Sequence, residues 1–168
     1  MPMRLDYLRH ADALPLQALT TISAHLHHST LDQELLALIQ LRASQLNGCA
    51  YCIDMHSKDL QALGAETARI HLLPAWREAG VYSPAEQAVL AWTEAVTLIS
   101  HEQDLQARFK SLAEHFNETE ITRLTFAIIA INSWNRLSVA FGRQPDGYQP
   151  GDLEPFMQQA LKRFTSPA

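Results

Sequence analysis

An all-α bundle is the fold class predicted by this sequence, and three observations lead to it. Apolar residues recur at spacings of three and four along successive segments. Several of those segments open on N-capping residues and close on glycine or asparagine. No stretch alternates with period two for long enough to make a strand.

Taken in order, residues 14–28 read as the first helix. Thr30 and Gln33 form a T-x-x-Q capping box ahead of 31–46, which carries Leu35, Leu36, Leu38, Ile39, Leu41 and Leu46. Asn47-Gly48 is a helix stop. A short helix over about 50–62 follows, ended by Gly64. Residues 66–79 read as one or two short helices broken at Pro74. Ser83-Pro84-Ala85-Glu86 places serine at the N-cap, proline at the first helical position and glutamate at the third. The helix it opens is expected to reach Ser100, and another is expected over 104–116. Asn117 with Glu120 caps the most apolar helix, 118–141. Residues 142–151 are loop-like, with Pro145, Gly147, Pro150 and Gly151, before a last helix over 153–164.

The chain of 168 residues reads as a single domain, 1–168. Thirteen basic residues face eighteen acidic ones, a net charge of −5, so there is no electrostatic footprint for nucleic acid or an anionic membrane. The longest apolar run, Phe126 to Ile131, is far short of the roughly 20 residues that span a bilayer. Asp6 and Arg9 interrupt the N-terminus before a signal-peptide core could form. The expectation is a soluble cytoplasmic protein.

Two cysteines, Cys49 and Cys52, are too few for a secreted disulfide scaffold. With helical rotation of about 100° per residue, Cys49 to Cys52 is a step of about 300° and Cys52 to His56 about 400°. All three side chains therefore lie near one face. Cys52 and His56 are close enough for imidazole to take the thiol proton. Cys49, at the helix start, meets unpaired N–H groups and the positive end of the dipole, which favour a thiolate. A second thiol one turn away can resolve a sulfenic acid into a disulfide. Three other readings compete. Structural zinc wants two further ligands, and no second C-x-x-C or H-x₃₋₅-H lies downstream. A thioredoxin motif expects a βαβ setting. The cysteines could also be inert, packed in a helix interface.

Other candidates are fewer. Glu94 lies among Trp92, Val96 and Leu98, where burial would raise its pKa and suit it to proton transfer. It could equally pair with an arginine such as Arg42 or Arg136. Glu86 has a structural role in its capping box, and Glu34 has one in the first turn of its helix. Glu34 could also face the cysteine helix across Asn47-Gly48. Asn132 and Asn135 share a face, as ligand-orienting amides or as partners of nearby backbone. His25, His27 and His28 form a cluster better read as surface residues than as a metal site. No haem, flavin or nucleotide motif is present, so no cofactor and no metal are expected.

The stretch E-L-L-x-L-I-x-L-R-A-S-Q-L-N-G-C-A-Y-C-x-x-x-H, from Glu34 to His56, resembles the AhpD-like alkylhydroperoxidase core of the carboxymuconolactone decarboxylase superfamily. So do S-P-A-E-Q-A-V-L-A-W-T-E-A-V-T from Ser83 and A-I-N-S-W-N-R-L from Ala130. The resemblance covers about 30–141 and is nearest to the single-domain, peroxidase-related branch. It implies an AhpD-like helical bundle assembled as homo-trimers or hexamers. It implies reduction of alkyl hydroperoxides or hydrogen peroxide, with Cys52 peroxidatic, Cys49 resolving and His56 activating the thiol. A lipoyl-bearing or thioredoxin-like dithiol partner would then restore the pair. Two positions depart from the founding pattern. Tyr51 stands where a histidine separates the cysteines, and Ala37 stands where a relay glutamate is expected. Glu94, Glu86 or Glu34 would have to supply the carboxylate, Glu94 being favoured, and Tyr51 could contribute a phenolic hydroxyl. A thiol–disulfide oxidoreductase or redox sensor is the alternative, and an oligomeric scaffold with a vestigial pair is a third.

Overall fold

The computed structural model describes residues 2–165, and every regular element among them is helical. The order is α1 (Tyr7–His10), α2 (Ala13–His27), α3 (Gln33–Asn47), α4 (Ala50–Ala62) and α5 (Thr67–His71). A 3₁₀ turn (Leu73–Ala75), α6 (Trp76–Ala79), α7 (Pro84–Thr97), α8 (Leu105–Ala113), α9 (Glu118–Phe141) and α10 (Glu154–Thr165) complete it.

Capping explains most of these boundaries. The Ser83 hydroxyl accepts from the Glu86 N–H at 3.3 Å while Glu86 accepts from the Ser83 N–H at 2.7 Å, the reciprocal pair expected at α7. Asn117 and Glu120 make the same exchange at the start of α9, at 3.0 and 2.9 Å. The expected Thr30–Gln33 box is not formed. Asp32 sits immediately before the first helical residue, and its carboxylate accepts from the Leu35 N–H at 2.8 Å. Thr30 instead accepts from Arg123, and Gln33 donates to the Leu31 carbonyl. α7 ends at Thr97 rather than Ser100, and Ile99 lies exposed beyond it. The one-turn helix α1 carries no sequence signal long enough to announce it, yet its Tyr7 is buried.

α3 is the central element and packs against α4, α7 and α9. Its Leu36 and Ile39 face one cluster with Val89, Leu124 and Ile128. Its Leu38 and Leu41 face another with Leu60, Leu73, Trp76 and Leu90. A helix buried on both sides needs apolar residues around most of its circumference, which is how this segment reads. α9 is long and apolar enough to cross a membrane by length and composition, but it serves as a core helix, with Leu124 and Ile128 fully buried. α10 lies against α2.

The turn between α3 and α4 positions the site. Gly48 adopts φ +66°, and the amides of Gly48 and Cys49 return to the carbonyls of Gln45 and Ser44. Cys49 is then extended (φ −85°) and becomes the N-cap of α4. Two residues thus reverse the chain. A Cβ at Gly48 would meet nothing within 4 Å, so the demand for glycine is purely conformational. Gly48→Ala is expected to lower stability by about 1–2 kcal/mol, measured as a shift in denaturant midpoint, with no change in helix content.

Candidate active site

Cys49 and Cys52 occupy the N-cap and third positions of α4 and form a disulfide, with their Cα atoms 5.3 Å apart. The Cys49 sulfur accepts from the Cys52 N–H at 3.3 Å, so the orphan donors of the helix start are aimed at sulfur. Both cysteines are buried, at 2% and 1% exposure. Ala43 of α3, Tyr51 and Ile131 of α9 enclose them, with Met55 and Trp134 packed alongside. The Trp134 indole donates to the Ser23 hydroxyl of α2 at 2.9 Å, which holds that wall in place.

His56 lies one turn beyond Cys52 and is 4% exposed. Its Nδ1 is 3.2 Å from Oδ2 of Asp59, and its Nε2 is buried with no hydrogen-bond partner among the described residues. Asp59 is engaged on its other oxygen, where the Tyr148 hydroxyl donates at 2.7 Å. Burial, and next the adjacent Asp59 carboxylate, push the Tyr148 phenol well above its ordinary range. Neither Asp59 nor Tyr148 is a candidate in the sequence reading. Asp59 carried a signal that could have found it, a carboxylate three residues beyond a helical histidine. Tyr148 comes from the 142–153 loop, and no local pattern links it to α4.

Tyr51 packs into the cysteine cluster, with the Arg143 guanidinium 4.0 Å from its ring centroid. Burial raises its phenol pKa, opposed by Arg143, so the group stays protonated and keeps an O–H to donate.

The three glutamates lie in arginine clusters, and none makes a hydrogen bond or ion pair to Cys49, Cys52 or His56 among the described residues. Glu94 accepts from Arg42 Nε at 2.8 Å, from the Trp76 indole at 2.8 Å and from Arg77 at 2.6 Å. Burial alone would raise its pKa, but the bonds from Arg77, Trp76 and Arg42 outweigh burial and hold the carboxyl below its usual range. The raised pKa considered from sequence is therefore corrected, and of the two readings the pair with Arg42 is present. Arg136 instead donates to Asn132. Glu86 serves its capping box and pairs with Arg69, and these bonds lower its pKa against the effect of burial. Glu34 pairs with the same arginine at 3.1 Å. Ala37 is 4% exposed, in the apolar cluster with Leu38, Leu41 and Leu60.

The paired asparagines are partners of the α3–α4 corner. Asn47 Nδ2 is 3.0 Å from the side-chain oxygens of both Asn132 and Asn135. Asn135 donates to Ser44 and Asn132 to Thr97, each at 3.0 Å. His28 pairs with Glu154 of α10 at 3.3 Å.

The lowered pKa of Glu94 has a stability consequence. Its folded value lies below its unfolded one, so its stabilisation is full above about pH 4.5 and lost as pH falls through the folded value. Glu94→Gln is expected to cost roughly 1–3 kcal/mol at neutral pH and to reduce the acid dependence of the unfolding midpoint, measured by denaturation from pH 7 to pH 3.

Comparison with known proteins places the fold and the family. The sequence profile of the carboxymuconolactone decarboxylase family matches residues 15–95. The chain is 40% identical over 116 residues to the uncharacterized protein YdfG of Bacillus subtilis, covering 69% of this chain and 79% of that one. The crystal structure of a protein of unknown function from Agrobacterium tumefaciens, with a proposed antioxidant-defence role as AhpD, superposes with a TM-score of 0.83. That match has 37% identity and covers 88% of this chain and all of that one. A peroxidase-related protein from Silicibacter shares the fold at 19% identity, with a TM-score of 0.71 over 83% of this chain and 74% of that one. The C-x-x-C turn lies inside the matched span, on an AhpD-like all-α scaffold, and the chain belongs to the carboxymuconolactone decarboxylase family.

Proposed function

We propose that the protein is a thiol-dependent peroxidase that reduces alkyl hydroperoxides or hydrogen peroxide through Cys49 and Cys52. The observation that carries this reading is a cysteine pair in disulfide contact at a helix start, with a buried histidine one turn away whose Nε2 is unengaged.

The chemistry follows from the placement. As the reduced enzyme meets peroxide, the Cys52 thiol gives its proton to His56 and the sulfur attacks the peroxide O–O bond. One oxygen stays on sulfur as sulfenic acid, and the other leaves as an alcohol or water, protonated by the imidazolium. Cys49 then attacks the Cys52 sulfur, water departs and the disulfide forms. The balance is one peroxide and two thiols to one alcohol, one water and one disulfide. A dithiol reductant, lipoyl-bearing or thioredoxin-like, returns the pair through a mixed disulfide. The burial of both sulfurs favours a slender dithiol arm over a broad protein face. Such cycling suits a reducing compartment, which fits the cytoplasm. The assembly proposed is a homo-trimer or hexamer.

A second reading, thiol–disulfide exchange with little peroxidase activity, is favoured by one observation. Cys49 at the N-cap accepts a backbone N–H, which suits it to be the attacking thiolate.

A single-turnover thiol count separates the two. The reduced protein receives one equivalent of an alkyl hydroperoxide, and thiols and peroxide are followed together. The expected result is loss of two thiols per peroxide, about 10²-fold or more faster than a free thiol, abolished by Cys52→Ser. Cys49→Ser is expected to stop at a trappable sulfenic acid. A rate no faster than that of a free thiol overturns the peroxidase reading, and rapid dithiol exchange abolished by Cys49→Ser then supports the second.

A further inference from the structure

We propose that Asp59 and Tyr148 are positioning residues that hold His56 with Nε2 as the proton acceptor for Cys52, so that the 142–153 loop is a working part of the site. The inference rests on the thiol-peroxidase reading and deepens it.

An ionised carboxylate can only accept, so the 3.2 Å contact from Asp59 makes His56 Nδ1 the donor. The neutral ring then carries its lone pair on Nε2, the buried nitrogen without a partner. Side chains on a helix lean toward its N-terminus, so a residue covers the turn that precedes it. For His56 that turn holds Cys52. The missing partner of Nε2 is supplied, in the reduced enzyme, by the thiol proton.

Tyr148 secures the carboxylate. Its hydroxyl takes one oxygen of Asp59 at 2.7 Å and leaves the other for His56. The Asp59 side chain is 25% exposed and could otherwise turn to water. Tyr148 is buried and, with its phenol held protonated, remains a donor at working pH. The same loop is fixed at its other end by Arg143 on the Tyr51 ring. Its two contacts therefore bracket His56 on α4, one at residue 51 and one at residue 59. Asp59, Tyr148, Tyr51 and Arg143 are the titratable and charged groups that these contacts bring to this stretch of α4. α9 contributes uncharged Ile131 and Trp134 to the cluster beside it.

Asp59 also takes the place that the sequence reading gave to a distant glutamate. The carboxylate comes from the cysteine helix itself, one turn past the histidine.

The test uses the full-length reduced protein and three variants: Asp59→Asn, Tyr148→Phe and the double variant. Long-range ¹H–¹⁵N correlation, with the His56 signals assigned by His56→Gln, reads the tautomer. Stopped-flow thiol oxidation by an alkyl hydroperoxide reads the rate across pH, with thiolate absorbance reported alongside. Wild type is expected to show the Nδ1–H tautomer. Asp59→Asn is expected to shift it toward Nε2–H and slow oxidation about 10–100-fold. Tyr148→Phe removes one oxygen and keeps the ring, and is expected to give a mixed tautomer and a loss of about threefold to tenfold. Since Tyr148 acts through Asp59, the double variant is expected to match Asp59→Asn, a non-additivity that a purely structural role does not produce. An Nε2–H tautomer in wild type, or both variants within about twofold of wild type in rate with an unshifted tautomer, overturns the inference. Slow oxidation of wild-type thiols is a failure of the peroxidase reading instead, and the tautomer still decides the positioning of His56.

Discussion

The left-handed backbone of Gly48 is the constraint from which the site follows. It lets α3 end and α4 begin within two residues, so the last turn of the most buried helix lies against the first turn of the cysteine helix. Cys49 then becomes an N-cap by necessity, because the residue that leaves a left-handed turn is extended and its side chain faces the unpaired amides ahead. The asparagine network explains why the corner stays put. Asn47 is the last residue of α3, and its amide is shared between two asparagines of α9. A polar network in so dry a place is stabilising only when its members are satisfied. Here Ser44, Thr97 and Arg136 supply the remaining partners.

A second set of polar contacts supports the opposite side of α3. Arg69 binds Glu34 and Glu86, which ties the start of α3 to the start of α7 through α5. Arg42 and Arg77 hold Glu94, which ties the middle of α3 to α6 and α7. A carboxylate gripped by two guanidinium groups is a poor proton shuttle, since its charged form is favoured and its lone pairs are engaged. The three glutamates are thus engaged as ion-pair anchors between helices.

Most of the fold was legible in the sequence because its signals are local. The S-P-A-E box, the Asn117–Glu120 pair and the Asn47-Gly48 stop each act within a few residues, and each is present in the structure. The failure at Thr30–Gln33 is also local, since two capping residues competed and the one adjacent to the helix, Asp32, won. The cysteine pair and His56 were legible for the same reason, since their spacing alone puts them on one helix face. What could not be read is what depends on distant packing. Whether Glu94 is a proton carrier or an ion-pair anchor turns on Arg77 and Trp76, which approach only after α6 folds back on α7. Tyr148 meets Asp59 across 89 residues, and no periodicity reports such a contact.

An alanine at position 37 has a physical reason in its surroundings. That residue lies in the cluster of Leu38, Leu41, Leu60 and Leu90, where the polar ends of Trp76 and Tyr82 are already engaged by Glu94 and the Arg69 carbonyl. A glutamate there would need a partner within the cluster or would stay neutral, because an unpaired buried carboxylate is strongly disfavoured. An alanine fills the space without that demand and lets α3 approach α4 closely. The carboxylate that orients the histidine is then drawn from a position where its second oxygen can be served. Asp59 meets that condition, since it sits at the border of the bundle within reach of both the His56 ring and the returning 142–153 loop. The same helix therefore carries Cys52, His56 and Asp59 at steps of four and three residues. The apolar core behind it need not be broken, provided that a residue from the far end of the chain closes the last hydrogen bond.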